Sequence, residues 1–412
     1  MNFCHLCKGN TVEELIDFGS QPVCNRFLSD PAAQEYGHPM RLGFCGWCGL
    51  IQLTDPVPIS ELQPKFDWIT YTEPERHLDS LAEIISGLPG LQPNSAFCGI
   101  SFKDDPLLDR LNKRGFGRTR RLDLKKDLDI ADGRVGVETV QDRMNPSRSK
   151  SLAKTHGPAD VVIARHILEH SFDVSKFIRS LRELLTPGGY LVLEIPDCTR
   201  AIEKLDYSTL WEEHILYFTQ ASFQQAISTS GFFVVRSEVV PYALEDVLVS
   251  IVQPKKDASP AAMESGLLKK EQARGLAFRD GLDDQRRRYR GLFLERNLRR
   301  ENVAVFGAGH LSCAFINLLG LADHVNFVVD DHPRKQGLFM PGSRRPITGS
   351  AKLADSPTRL CLMGLNPDAE SKVIQNNQAY TARGGQFASI FPASPSALAL
   401  TSGMPHGSRV SS

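Results

Sequence analysis

Two C-x-x-C pairs, Cys4-His5-Leu6-Cys7 and Cys45-Gly46-Trp47-Cys48, stand 37 residues apart at the start of the chain, and nothing else in the sequence restricts its folding as much. A two-residue gap lets both thiolates of a pair face one tetrahedral cation, and two such pairs close a four-sulfur zinc site with no open position for water. Such a site is structural. It supplies the folding energy that a segment of about 60 residues lacks in its own small core. The competing readings are a redox pair, for which a position outside any βαβ unit is wrong, and ordinary buried cysteines. Cys24 has no partner at knuckle spacing and reads as a packed, unligated side chain, as do Cys98, Cys198, Cys313 and Cys361. Nine cysteines, an odd count, fit a reducing compartment better than a disulfide framework.

The 412 residues suffice for two or three cores. From Asn94 to about Val252 short apolar runs alternate with helical patterns. Ser95–Ile100, Thr119–Leu124, Ala159–Ala164 and Tyr190–Ile195 are strand candidates, and Val174–Leu185 is an amphipathic helix closed by Pro187-Gly188-Gly189. This alternation implies βαβ units on a parallel sheet. The charged stretch Ala258 to Arg300, with Arg286-Arg287-Arg288, reads as a solvated helix joining two domains. A second α/β unit opens at Asn302, where an apolar run leads into Gly307-Ala308-Gly309. From about Ser394 the chain is small and polar, which predicts disorder.

Composition excludes some functions. The 48 basic residues are matched by 48 acidic ones, so nothing supports a chain that works by neutralising nucleic-acid phosphates. No run approaches the roughly 18 apolar residues that cross a bilayer, and the start lacks a signal segment, so a cytoplasmic protein without membrane partners is expected.

Three segments carry candidate chemistry. The first central strand ends in Gly99-Ile100-Ser101-Phe102-Lys103-Asp104-Asp105, with one glycine where a full cofactor fingerprint has three. Asp123 lies 24 residues beyond Gly99, near the spacing of an acid that accepts ribose hydroxyls, and a loop carboxylate is the equal alternative. Arg165-His166-Ile167-Leu168-Glu169-His170 follows the buried strand that begins at Asp160, and its polar residues are site candidates because they stand where a parallel sheet binds ligands. Last, Trp211-Glu212-Glu213-His214-Ile215-Leu216-Tyr217-Phe218 sets two carboxylates and an imidazole among large apolar side chains. Burial favours neutral histidine and a neighbouring acid favours the cation, so the pair can be poised to take a proton from carbon beside a carbonyl. A buried histidine satisfied by hydrogen bonds is the plain alternative.

Taken in order, these segments resemble the sugar C-methyltransferase family, whose members use S-adenosylmethionine to methylate a carbon of a nucleotide-linked keto-deoxysugar. The resemblance runs from Cys4 to about Pro392. It is most specific at Cys45–Leu53, Asp160–Pro196, Glu213-His214 with Tyr217-Phe218, and Val329–Gly337 leading to Pro341-Gly342. It implies an α/β protein with a zinc-binding domain at 1–60, a class I methyltransferase domain at 61–255 and a C-terminal Rossmann-like domain at 301–393. A helical linker at 256–300 and a disordered tail at 394–412 complete the chain.

By the same resemblance His214 is the base, Glu213 its partner, and Tyr71 a substrate-contacting tyrosine. Gly99, Lys103, Asp123, Arg165 and His166 are the candidate cofactor-binding residues, and Cys4, Cys7, Cys45 and Cys48 the structural zinc ligands. The sequence departs from the family in two places. Its cofactor loop is poor in glycine, and Ser312 replaces the glycine or alanine of a dinucleotide fingerprint, so NAD is not expected. Asp330 and Lys335 read either as substrate contacts or as a structural loop. Two other functions stand beside methyl transfer: an epimerase-like acid–base enzyme that has lost the methyl donor, and a non-catalytic zinc-knuckle binding protein.

Overall fold

A computed structural model describes residues 3–9, 11–69, 73–255 and 261–399. Its strands in chain order are β1 (Val12–Pro22), β2 (Gly37–Cys45), β3 (Ile51–Leu53), β4 (Ala96–Gly99), β5 (Arg118–Arg121), β6 (Ala159–Arg165), β7 (Leu185–Asp197) and β8 (Leu216–Tyr217). They continue with β9 (Phe232–Val240), β10 (Asp246–Pro254), β11 (Asn302–Phe306), β12 (Phe327–Val329), β13 (Ile347–Thr348), β14 (Thr358–Met363) and β15 (Gln386–Ser389). Three sheets result, in the orders β1-β2-β3-β8, β5-β4-β6-β7-β10-β9 and β13-β12-β11-β14-β15.

The chain divides into two compact units. The first comprises Met1–Arg26, Glu35–Lys204 and Leu210–Arg279, and the second Phe27–Gln34, Leu205–Thr209 and Asp280–Ser412. In the first unit β5, β4, β6 and β7 are parallel, and the antiparallel pair β10 and β9 extends the sheet beyond β7. Parallel strands must be covered on both faces, and here one face packs Cys98, Val162, Leu191 and Leu248 while the other packs Phe97, Val161, Val192 and Val249. This is the expected methyltransferase sheet. The second unit carries the five-stranded, wholly parallel sheet of a Rossmann-like domain.

Three expectations change. Pro187-Gly188-Gly189 does not separate helix from strand, because β7 already starts at Leu185 and shifts its register against β6 between Ala159 and Val161. The charged stretch forms the helix Ser265–Leu298, but it is not solvated all round. Glu271, Gly275, Phe278, Leu282, Tyr289 and Phe293 are buried at alternating three- and four-residue steps, with one step of seven, a seam of the coiled-coil period that charge counting hides. Finally, the described start of the tail is fixed: Ala397 bridges Ser389, and the hydroxyls of Ser394 and Ser396 bond to the buried Glu370. Among the described residues no helix is long and apolar enough to cross a membrane.

Candidate active site and metal centre

The four N-terminal cysteines converge. Their sulfurs all lie within 4.8 Å of one another, with Cys4 3.5 Å from Cys48 and Cys7 3.7 Å from Cys45. A tetrahedron built on Zn–S bonds of about 2.3 Å has edges close to these spacings, so the set fits a structural zinc ion. Each knuckle is a tight backbone turn. Lys8 donates to the Cys4 carbonyl at a left-handed φ of 61°, and Gly49 donates to the Cys45 carbonyl at a φ of 71°. The Thr11 hydroxyl lies 3.2 Å from Cys45 Sγ and supports it from outside the ligand set. His5, inside the first knuckle, sets its ring nitrogens against the carbonyls of Phe172 and Leu53, and its own carbonyl accepts from Val174 N. The metal centre is thereby tied to the helix Val174–Glu183 that follows β6.

The main candidate site lies outside the carboxyl ends of β4 and β6, where the strand order reverses. At Gly99 a Cβ would come within 2.8 Å of Leu108 and 2.9 Å of Asp104, so glycine is needed for packing against the next helix. The buried Asp104 carboxylate accepts from the backbone N–H groups of Ile100, Ser101 and Arg165. Burial raises its pKa to about 7 against the pull of those bonds and of the Arg165 charge. Lys103 reaches back over the loop and its Nζ lies 2.7 Å from Glu73.

Arg165 and His166, expected as cofactor ligands, turn inward instead. The Arg165 guanidinium is wholly buried and donates to both Glu194 oxygens and to the carbonyls of Lys103 and Pro74. It clamps the loop. His166 takes a left-handed φ of 46°, which brings Nε2 to 2.9 Å from Glu194 and Nδ1 to 3.5 Å from Glu73 and 3.6 Å from Glu169. Burial alone would lower its pKa, but Glu73, Glu169 and Glu194 outweigh that and raise it to about 10. Glu73 is pushed up by burial and pulled down further by His166 and Lys103, to about 2. Asp123 stays exposed just after β5, where Oδ1 caps its own turn by accepting from Lys125 and Lys126 N–H.

His214 faces the same edge. Its ring stacks on Trp211 at 5.2 Å and 13°, and His170 meets it edge-on at 4.7 Å and 84°. Ligand atoms of Glu169, His170 and His214 lie within 4.8 Å of one another. The backbone fixes this arrangement: Ile215 N–H donates to the Glu169 carbonyl, and the buried Tyr217 hydroxyl donates to the Trp211 carbonyl. His170 Nδ1 lies 2.6 Å from Glu138. Burial pushes Glu138 up, but the charge and hydrogen bond of His170 hold it below the usual carboxylate range. Two buried atoms at this spot, His170 Nε2 and Glu169 Oε2, have no hydrogen-bond partner among the described residues, so the pocket presents unspent polar groups. Asn25 Nδ2 donates to Glu213 across 3.4 Å, and burial together with Glu138 and Glu212 raises the Glu213 pKa well above its ordinary value. Tyr71 lies outside the described residues.

Sequence reasoning named Lys103, Arg165, His166, Glu169, His170, Glu213 and His214 but missed Glu73, Glu138 and Glu194. Glu138 carries no local signal, since only the tertiary fold brings its helix to His170.

In the second unit Asp330 and Lys335 belong to a structural loop. Asp330 accepts from Ala308 N–H, and Lys335 donates to Asp330 and to the Ala308 carbonyl, so the groups nearest the glycine turn are spent internally.

Three family models match the chain in order. They are a "Putative zinc binding domain" over residues 4–62, a "Methyltransferase domain" over 101–237 and a "C-methyltransferase C-terminal domain" over 249–392. Among curated proteins the chain is similar to the C-methyltransferase NovU of Streptomyces niveus, at 23% identity over 397 residues that span 93% of this chain and 94% of that one. It is also similar to a ubiquinone biosynthesis O-methyltransferase of Caulobacter sp. (strain K31), at 25% identity over 128 residues, 31% of this chain and 48% of that one. Among solved structures, magnesium protoporphyrin IX methyltransferase of Synechocystis PCC 6803 aligns at 16% identity over 44% of this chain and 83% of that chain, with a TM-score of 0.31.

Proposed function

We propose that the chain is a C-methyltransferase that uses S-adenosylmethionine to methylate a carbon beside the ketone of a nucleotide-linked keto-deoxysugar, a reading supported by its matches in order to zinc-binding, methyltransferase and C-methyltransferase C-terminal models. The observation that carries this reading is the placement of His214 beside Glu169 and His170 at the carboxyl edge of the parallel sheet. The donor, when bound, supplies an activated methyl group. Its positive charge suits a site beside the carboxylates of Glu73, Glu138 and Glu169, and Asp123 is the acid after the second strand for ribose hydroxyls.

His214 takes the proton beside the ketone, leaving an enolate. Trp211 and His170 fix the plane of the His214 ring, so its nitrogen meets the carbon without reorientation. The Glu138–His170 pair behind it steadies the positive charge that develops on His214. Lys103, paired with Glu73, is our candidate cation for the enolate oxygen.

The test is turnover with nucleotide-linked keto-deoxysugars, read as methyl gain by mass spectrometry. His214→Ala is expected to lose roughly 10²–10⁴-fold in rate while the calorimetric heat of S-adenosylmethionine binding is retained. Full turnover by this variant would remove His214 from the mechanism. One observation favours a second reading, an epimerase-like enzyme without a methyl donor: Asp104 already occupies the loop N–H groups of Ile100 and Ser101. That reading expects no heat on titration with S-adenosylmethionine.

A further inference from the structure

The six-stranded sheet ends in β9, and among the described residues no strand lies beyond it. Phe233, Val234, Val235 and Val239 are 43%, 39%, 41% and 39% exposed, so four of the ten exposed large apolar side chains of the described residues fall on this one strand. A long apolar edge with open backbone donors and acceptors is what soluble proteins avoid unless another strand covers it. A bulge against β10 lies between Val234 and Arg236, leaving Arg236–Val240 as regular strand.

The charges on this strand select its partner. Arg236 and Glu238 flank Ser237, and their side chains meet each other at 3.3 Å for want of another partner on the edge. An antiparallel neighbour related by a two-fold axis through Ser237 places Arg236 opposite Glu238 of the second copy, and Glu238 opposite its Arg236. The same axis brings Val239 next to the bulge of the second copy, where its Val234 and Val235 supply apolar neighbours. An axis through Arg236 or through Glu238 brings like charges face to face, and axes through Val235 or Val239 leave both charges opposite apolar or unrelated positions. The axis through Ser237 is thus the register that sets both charges of the strand against opposite ones, in the self-complementary manner of an isologous interface.

We propose that β9 is a homodimer interface, pairing antiparallel with β9 of a second copy about Ser237 to form a continuous twelve-stranded sheet. β10 and β7 separate β9 from β6 and the candidate active site, so the interface and the chemistry can be tested separately.

The experiment is sedimentation velocity of the full-length protein over a range of concentrations, with circular dichroism to check that each variant is folded. The unaltered chain is expected to dimerise. Arg236→Glu faces two pairs of like charges and should weaken the dimer about tenfold or more, and Val239→Lys should give monomer. The double variant Arg236→Glu with Glu238→Arg restores both cross-strand pairs and should restore the dimer. A chain that stays monomeric at every concentration overturns the proposal. So does a dimer indifferent to Arg236→Glu, or one that the double variant fails to recover.

Discussion

At the level of single residues, the candidate site is a buried ion network whose parts depend on one another. His166 shows this through pH. Its raised pKa means that its stabilising contribution is complete below its ordinary value of about 6.5 and is lost as pH rises through about 10. Asparagine tolerates the left-handed backbone found there, so His166→Asn removes the ring without straining the chain. Urea midpoints measured between pH 7 and 10 should fall more steeply for the unaltered protein than for this variant, and equal slopes would contradict the assignment. Glu138→Gln, in contrast, should lower kcat about tenfold or more with little change in KM, since the pair with His170 is needed only when charge develops on His214. A change confined to KM would make Glu138 a binding residue. The sequence exposes His214 and Glu213 because they stand together in an aromatic setting. It conceals Glu138 and Glu73, because a carboxylate delivered from a distant helix or loop leaves no spacing to read.

At the level of elements, the zinc segment shares a sheet with the strand next to His214. β3 pairs with β8, joining Ile51 to Tyr217 and Gln52 to Leu216. Leu53 N–H also donates to the Ile215 carbonyl. Loss of zinc should therefore loosen the His214 loop as well as β1 to β3. Chelation, or Cys45→Ser, is expected to abolish protection of the Ile51–Leu53 and Ile215–Tyr217 amides in hydrogen exchange and to lower turnover in parallel. Unchanged protection at Ile215–Tyr217 would show that the metal supports only its own segment. The knuckle spacing makes the metal site legible, yet β1 and β2 go unread, since Gly, Pro and charged residues interrupt their alternation. β8 is missed for another reason. Two residues are too few to carry a period, and only the partner strand makes them a strand.

At the level of the whole molecule, the division into units does not follow the linear order of the domains. Phe27–Gln34 and Leu205–Thr209 belong to the same unit as Asp280–Ser412, and Leu28 forms a backbone bridge with Phe339. Residues 280–412 expressed alone lack both insertions, and half of the helix Ser265–Leu298 besides. This fragment should be digested by protease much faster than the same residues in the intact chain, and equal resistance would show a self-sufficient domain. Fold class is legible here because strand and helix periods are local, whereas membership of a unit depends on contacts hundreds of positions apart. The Leu28–Phe339 bridge also sets a schedule for synthesis. A ribosome adding roughly 5–20 residues per second leaves Leu28 waiting about 15–60 s for its mate, so the newborn amino-terminal region must survive that interval incomplete, in the company of chaperones.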